Sequence, residues 1–482
     1  MRIAIVGGGI AGLAAAYELE KARAAGASVD YTLYEERLRL GGSLASEIVS
    51  GAVLERGPDS FLTEKPAAAE LCRELGLGGE LLASNDTARK TYIVVRNRLV
   101  ELPDGLMFLV PTKLIPTATT PLFGLRTKLR MGLDLLRPAR SSGGDESVAA
   151  LVRRHFGQEA VDRLADPLLS GIYGGDAEQL SAQTVLPRLV EMETKYGSLT
   201  RGMLAARKRM PAPAKESGGT KRAASSVFTA LRGGMSQLVD AIVARIDPAS
   251  LRIGMPVSAI QKTAGGWSVG AGGTTESYGA LIMAAPAWAA GELLAPVDAE
   301  LGGELGGIPY SSSITVNLVH EEARIGQLSE GFGFLVPAVE GRAILACTFL
   351  HRKFLGRTPP GKAVLRAFLG GMKGEALLAE SDEVLVATVR RELSEILGAK
   401  TLRADIEPEC VQVSRWRRAM PQYTVGHKER MKQVAARVAE LPGLRLVGNA
   451  YDGIGVSDCI RLGRQAAREL SAAGAKSTDS MV

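Results

Sequence analysis

The sequence predicts an α/β chain, α+β overall, organised around a parallel-sheet domain that is discontinuous along the chain. Three observations predict it. Residues 2–6 read as a short buried strand, the glycines after Val6 as a tight turn, and residues 10–25 as an alanine-rich helix. The stretch VDYTLYEE from Val29 supplies a second strand and completes a βαβ unit. At the far end, LRLVGNA from Leu444 returns as a strand and residues 456–474 as a helix, with the glycine-rich run GNAYDGIGVSDCIRLG at 448–463.

The elements between these ends follow in order. Residues 95–210 hold few strand-like runs but several Pro-bounded amphipathic phrases such as ESVAALVRRHFGQEAVDRLADPLLSGIYG, which predicts a helical insertion. Residues 211–225, PAPAKESGGTKRAAS, have the composition of an exposed loop. FTALRGGMSQLVDAIVARI reads as a turn and helix, followed by strands in GMPVSAIQ, GWSVGA and ESYGALIMAAP. From about 300 to 410, SSSITVNLV, GFGFLVP and RAILACTFL alternate like a half-buried antiparallel sheet, accompanied by one helix near DEVLVATVRRELSEILG.

With 482 residues, 46% hydrophobic and 23% charged, the chain has the make-up of two or three folded domains. Its net charge of +6 is concentrated. Between Lys113 and Arg140, Lys113, Arg126, Lys128, Arg130, Arg137 and Arg140 face only Asp134, and the run Arg201 to Arg222 is basic except for Glu216. Such runs suit an anionic surface or a solvated helix face. Cys72, Cys347, Cys410 and Cys459 are widely separated with no CxxC spacing, which argues for four buried thiols and against a zinc site or a disulfide framework. The chain enters its first strand at once, leaving no room for a signal peptide, and no run of 18 apolar residues spans a bilayer. His155, His320, His351 and His427 share no spacing that suggests joint action, and no metal site is expected.

The pattern Gly7-x-Gly9-x-x-Gly12 lies between strand and helix, where glycine permits the tight turn and a close approach of diphosphate to Gly7, Gly8, Gly9, Ile10, Ala11 and Gly12. Glu35 ends the next strand, 23 residues after Gly12, where a carboxylate accepts hydrogen bonds from ribose hydroxyls and disfavours a 2′-phosphate. Glu36 and Arg37 follow, then Gly41-Gly42 and Ser43. This E-x-R-x-x-x-G-G spacing resembles the glutathione-reductase-type FAD fold. Gly448, Asn449, Ile454, Gly455, Val456 and Ser457 would hold the flavin end, with the positive end of a helix facing the pyrimidine side of the ring. The cofactor expected is FAD.

The N-terminal GGGIAGLAAAYEL, LERGPDSFL at 54–62, GFGFLVP at 331–337, WRRAMPQYTVGH at 416–427 and the YDGIGVSDCI string resemble, in order, the oxygen-dependent protoporphyrinogen oxidases of the amine oxidase and phytoene desaturase superfamily. The resemblance covers nearly the whole chain and is weakest in the helical insertion. It implies that Gly57, Pro58, Asp59 and Ser60 line the flavin, that Val257 meets the adenine through its backbone, and that Trp416 lies near the isoalloxazine. Two departures from the superfamily pattern are Ser43, where arginine is common, and Asn449, where an acid is common.

The resemblance also implies domains: FAD-binding segments at 1–85, 225–298 and 413–482, a substrate-domain strand at 86–95, a helical membrane-binding domain at 96–210 and a substrate-binding domain at 299–412. The implied reaction is a six-electron oxidation of protoporphyrinogen IX to protoporphyrin IX with oxygen as acceptor and peroxide as by-product. Phe332 and Phe349 are candidates for an apolar slot, Arg89 for a propionate with Lys90 or Arg96 as substitutes, and Asp59 for the pyrrole N–H groups or a turn cap. Peripheral membrane attachment in the cytoplasm would use Leu114, Ile115, Leu122, Phe123, Leu129, Met131, Leu133 and Leu136. The same residues read equally as a helical lid. The resemblance leaves room for a homodimer and for product hand-over to ferrochelatase, and it points to no nucleic acid. Open alternatives are coproporphyrinogen III oxidation, a carotenoid-desaturase or amine-oxidase-like flavoenzyme, a binding protein like the Rab GDP-dissociation inhibitors, and a nucleic-acid protein.

Overall fold

A computed structural model describes residues 1–107, 109–139, 143–209 and 226–479. Phe108, Arg140, the loop expected at 211–225 and most of the second basic run lie outside the described residues. The chain divides into two compact units, residues 1–84, 226–309 and 429–482 in the first and 85–225 and 310–428 in the second.

The first unit is built on a five-stranded, all-parallel sheet in the order Leu251–Ile253, Asp30–Glu35, Arg2–Val6, Ala280–Met283 and Leu444–Leu446. Arg2–Val6 and Asp30–Glu35 are buried except at their first residues, as strands covered on both faces must be. On one face lies the helix Ile10–Ala24, whose buried Ala14, Ala15 and Ala16 let it approach the sheet closely. The long C-terminal helix Val456–Asp479 packs against it. Where they meet, a Cβ on Gly463 would lie 2.1 Å from the carbonyl oxygen of Ala11, so the contact is backbone to side-chain-free backbone. Beside it, Glu18 accepts from Arg464 at 2.6 Å and Arg468 at 2.8 Å. Burial works against that carboxylate, but the two guanidinium groups hold it below its usual range. The two ends of the chain are thereby clasped. This unit also holds two three-stranded antiparallel sheets, a meander of Val257–Thr263, Gly266–Ala271 and Thr274–Tyr278 and a sheet in the order Phe61–Leu62, Phe228–Leu231 and Leu81–Ala83.

The second unit carries a seven-stranded mixed sheet in the order Cys410–Pro421, Tyr310–Glu321, Lys362–Gly370, Ile344–Phe349, Gly333–Leu335, Thr91–Val95 and Arg98–Glu101. Only the pairing of Gly333–Leu335 with Thr91–Val95 is parallel. Ile314, Val316 and Leu318 point to one face with period two and meet Leu385, Val389, Leu393 and Ile396 of the helix Asp382–Leu397. Ser381 caps that helix and two acids occupy its first turn. The helical insertion packs its own core against Ile93 and Val95. It therefore belongs to this unit, where the sequence reading separated it.

Two boundaries differ from expectation, and so does one thiol. Residues 413–428 were assigned to the cofactor unit, but the strand Cys410–Pro421 pairs along its length with Tyr310–Glu321, which places them in the second unit. Residues 299–309 belong to the first unit, where helix Ala299–Gly306 packs on helix Ala287–Leu294. Of the four thiols, Cys72, Cys347 and Cys459 are buried, whereas Cys410 is half-buried.

Candidate cofactor site

The carboxyl ends of the central strands converge on glycine. Gly7 has φ +110°, and a Cβ there would lie 2.8 Å from the backbone of Ala284, the residue that follows the strand Ala280–Met283. A Cβ on Gly12 would lie 2.0 Å from the carbonyl oxygen of Gly7, so only glycine lets helix and strand meet at that distance. Gly9 differs. Its φ of −70° is open to any residue, and a Cβ there would meet nothing within 4 Å. It is the N-cap of helix Ile10–Ala24, which has no side-chain cap and no acid in its first turn. Bare N–H groups beside open space are what a diphosphate requires.

Glu35 is buried, and its two oxygens are each held by one backbone donor: Gly8 N–H at 2.7 Å and Arg37 N–H at 2.9 Å. Each oxygen keeps acceptor capacity, which fits a ribose diol. The same strand end fixes the neighbouring segment, since Met255 donates to the carbonyl of Glu35 at 2.8 Å and Gly254 to that of Arg37 at 3.0 Å. Two residues on, Val257 pairs with Ala271 at the start of the meander, and a register slip between Val257 and Ala259 leaves Ser258 off the ladder.

The Gly41-Gly42 turn, with φ +98° and +59°, docks on the first glycine loop through Gly41 N–H to Gly8 O at 2.8 Å. Arg37 does not brace it. Its side chain is 56% exposed, 3.8 Å from Glu36. Arg39, which sequence reading passed over, donates to the carbonyls of Leu40 at 3.0 Å and Leu44 at 2.8 Å and also reaches Gly42. Burial, then the nearby Arg37, lower its pKa. Ser43 touches the 57–60 loop: a Cβ on Gly57 would lie 1.9 Å from the Ser43 carbonyl oxygen. Asp59 accepts from the hydroxyl of the adjacent Ser60 at 2.6 Å.

At the other chain end, Val447 N–H donates to Met283 O at 2.9 Å, and Gly448 (φ +138°), Asn449, Ile454, Gly455, Val456 and Ser457 follow at the same edge of the sheet. Ser457 is not a cap. Its hydroxyl donates to the Lys65 carbonyl at 3.0 Å, while Asp458 accepts from Gly455 N–H at 3.2 Å. The first unit thus gathers the N-terminal glycine loop, Glu35, the 41–44 and 57–60 loops, Val257 and the 448–457 segment around one sheet end, and the residues present fit a dinucleotide.

The remaining candidates lie in the second unit. Trp416 stands opposite Ser313, next to a register slip between Ser311 and Ser313. Arg89 is half-exposed, with Asp86 3.9 Å away. Lys90 is engaged by Glu330 at 3.1 Å, and Arg96 lies at the far end of the strand Thr91–Val95. Phe332 is 8% exposed, whereas Phe349 is wholly enclosed and meets Phe334 edge-on at 6.2 Å. Phe349 is a core residue and not the slot wall expected of it. The structure also assembles a cluster with no signal in sequence. Buried His155 bonds Asp134 through Nδ1 and Glu193 through Nε2 at 3.0 Å, while Asp134 accepts from Ser198 and Thr200 and Glu193 from Arg154.

Comparison with known proteins agrees with this geometry. The family model described as flavin containing amine oxidoreductase matches residues 10–471. A coproporphyrinogen III oxidase of Bacillus subtilis is 33% identical over 96% of this chain and 96% of its own. A protoporphyrinogen oxidase of Macaca fascicularis is 31% identical over 96% and 97%. A crystal structure from Exiguobacterium sp. 255-15, provisionally assigned as a protoporphyrinogen oxidase, superposes with a TM-score of 0.84 at 32% identity and 98% coverage of both chains. The chain belongs to the flavin-containing amine oxidoreductase family and is an FAD-dependent oxidoreductase.

Proposed function

We propose that the chain oxidises a porphyrinogen to its porphyrin in haem biosynthesis, in three two-electron rounds with oxygen as final acceptor and hydrogen peroxide as by-product. The observation that carries this reading is the clasp of both chain ends around one dinucleotide-shaped sheet end, in a chain whose full-length relatives are named for porphyrinogens. FAD supplies the hydride-accepting chemistry when bound. Glu35 receives the ribose hydroxyls, the N–H groups of Ile10 to Gly12 receive the diphosphate, and Gly448 to Ser457 close on the flavin end. A porphyrinogen is broad and apolar with carboxylates on its rim. By the family resemblance, Arg89 would bind a propionate through a guanidinium fork, Phe332 would offer an aromatic edge and Asp59 would accept from pyrrole N–H. These residues position substrate and exclude water, and the reaction asks no protein nucleophile of them.

Coproporphyrinogen III is the first candidate substrate, since the relative of higher identity bears its name. Protoporphyrinogen IX, the sequence expectation, is the second, on the strength of the Macaca relative. Supplying each to the purified holoprotein and reading the porphyrin formed by fluorescence separates them. Oxidation of neither overturns the reading.

The exposed face of the helix Leu125–Leu133 supports a membrane-surface role. Leu125, Leu129, Leu133 and Leu136 are each 59–77% exposed in one stripe, with Ile115 at 77%. Leu122, Phe123 and Met131, expected among the interfacial residues, are instead buried in the helical core. Among the described residues no helix is long and apolar enough to cross a membrane. Leucines at the interface, with Arg126, Lys128 and Arg130 beside them, fit peripheral attachment to an anionic bilayer. Leu129→Asp/Leu133→Asp should lose sedimentation with anionic vesicles, and undiminished sedimentation contradicts the assignment.

A further inference from the structure

We propose that Lys65 is a positioning residue that sets the charge at the N-terminus of the C-terminal helix and, through it, the electron affinity of the flavin. The proposal rests on the cofactor placement given above. Asp458 is the third residue of helix Val456–Asp479 and is buried, with its Oδ2 accepting from Gly455 N–H at 3.2 Å and from Lys65 Nζ at 2.6 Å. Lys65 is tied a second time, because the Ser457 hydroxyl donates to its carbonyl at 3.0 Å. The preceding loop is shaped around this pair: Gly453 has φ +98°, and a Cβ there would lie 2.4 Å from the Asp458 carboxyl carbon.

The N-termini of this helix and of helix Ile10–Ala24 are therefore electrostatically different. Helix Ile10–Ala24 begins without acid or side-chain cap and keeps its positive end. Helix Val456–Asp479 carries a carboxylate in its first turn, which would cancel that end and oppose negative charge gathering on a flavin ring nearby. Lys65 neutralises the carboxylate and so returns the helix end to net positive potential. With its side chain 41% exposed against 9% for Asp458, the ion pair adds little to stability as a surface bridge, but its loss would leave a buried, unpaired anion beside the site.

The test is sulfite titration of the purified yellow holoprotein, because sulfite adds to oxidised flavin and leaves a negative charge on the pyrimidine ring. Lys65→Met should bind sulfite about tenfold more weakly than the parent, equivalent to about 30 mV for a two-electron couple. Lys65→Arg should restore binding. Asp458→Asn, which keeps an acceptor for Gly455, should bind sulfite more tightly than the parent, and this arm decides the matter if Lys65→Met loses its flavin. The double variant should return close to the parent. A yellow Lys65→Met with unchanged sulfite affinity, or Asp458→Asn no tighter than the parent, overturns the proposal. So does a double variant as weak as Lys65→Met, since that outcome makes the pair a structural latch. A colourless parent protein would instead overturn the cofactor placement, and this proposal with it.

Discussion

Gly9→Ala separates cofactor binding from folding more cleanly than any other change in the first glycine loop. At Gly9 the backbone angles suit alanine, and the added methyl meets no protein atom within 4 Å. The cost to the apoprotein is that of a poorer N-cap, about 0.5–1 kcal/mol. The methyl instead occupies the space in front of the uncapped helix N-terminus. A diphosphate held off by that carbon loses one or two charge-assisted hydrogen bonds of about 1.5–3 kcal/mol each, so FAD affinity should fall roughly 10- to 20,000-fold. The neighbouring Gly12→Ala is the contrast. Its methyl must clear a carbonyl oxygen 2.0 Å away, which forces the helix off the strand and costs about 1–3 kcal/mol in the apoprotein as well. The assay measures FAD affinity by flavin fluorescence quenching together with the melting temperature of each apoprotein. A Gly9→Ala protein that binds FAD as tightly as the parent refutes the placement of the diphosphate.

Other outcomes follow from particular residues. Burial alone would lower the pKa of His155, but bonds to Asp134 and Glu193 raise it; burial works against the Glu193 carboxylate, yet its bonds from His155 and Arg154 bring it down to about 2. The imidazolium contribution to stability is thus full below the ordinary histidine value of 6.5 and is lost as pH rises through the raised value, while the Asp134 and Glu193 contributions disappear as strong acid protonates them. His155→Leu should lose about 3–5 kcal/mol and flatten the alkaline decline of the melting temperature, and an unaltered decline contradicts the assignment. His320 is buried, neither ring nitrogen has a partner among the described residues, and burial lowers its pKa to about 4. His320→Leu should therefore be neutral or stabilising by up to about 2 kcal/mol in urea unfolding; a large loss would reveal a partner for the ring. For Arg89→Ala the expected change is a rise in KM larger than the fall in kcat, and an unchanged KM moves the propionate contact elsewhere.

The cofactor half of the molecule was the more legible in sequence, because each of its constraints is local. Gly7, Gly9 and Gly12 follow one strand directly, Glu35 ends the next, and the 448–457 run follows another, so spacing alone places them on loops at strand ends. Arg39 was missed because a loop arginine has no pattern that separates carbonyl bracing from solvent exposure. Lys65 and Asp458 were not paired because nothing in a sequence joins residues so distant. The second unit was less legible for the same reason. Trp416 was read through its motif, and the twelve-residue strand that carries it was missed. Amphipathic alternation at Leu122, Phe123 and Met131 could not say which face is covered. Phe349 looked like a slot wall because aromatic residues suit both slots and cores, and only its packing on Phe334 decides.

The central claim, that the clasped chain ends hold one FAD which takes electrons from a porphyrinogen, is tested most directly by anaerobic mixing of the yellow holoprotein with coproporphyrinogen III or protoporphyrinogen IX in a stopped-flow spectrometer. The oxidised-flavin absorbance should bleach with one of them as the substrate loses electrons, and return when oxygen is admitted. An absorbance that stays constant with both porphyrinogens contradicts it.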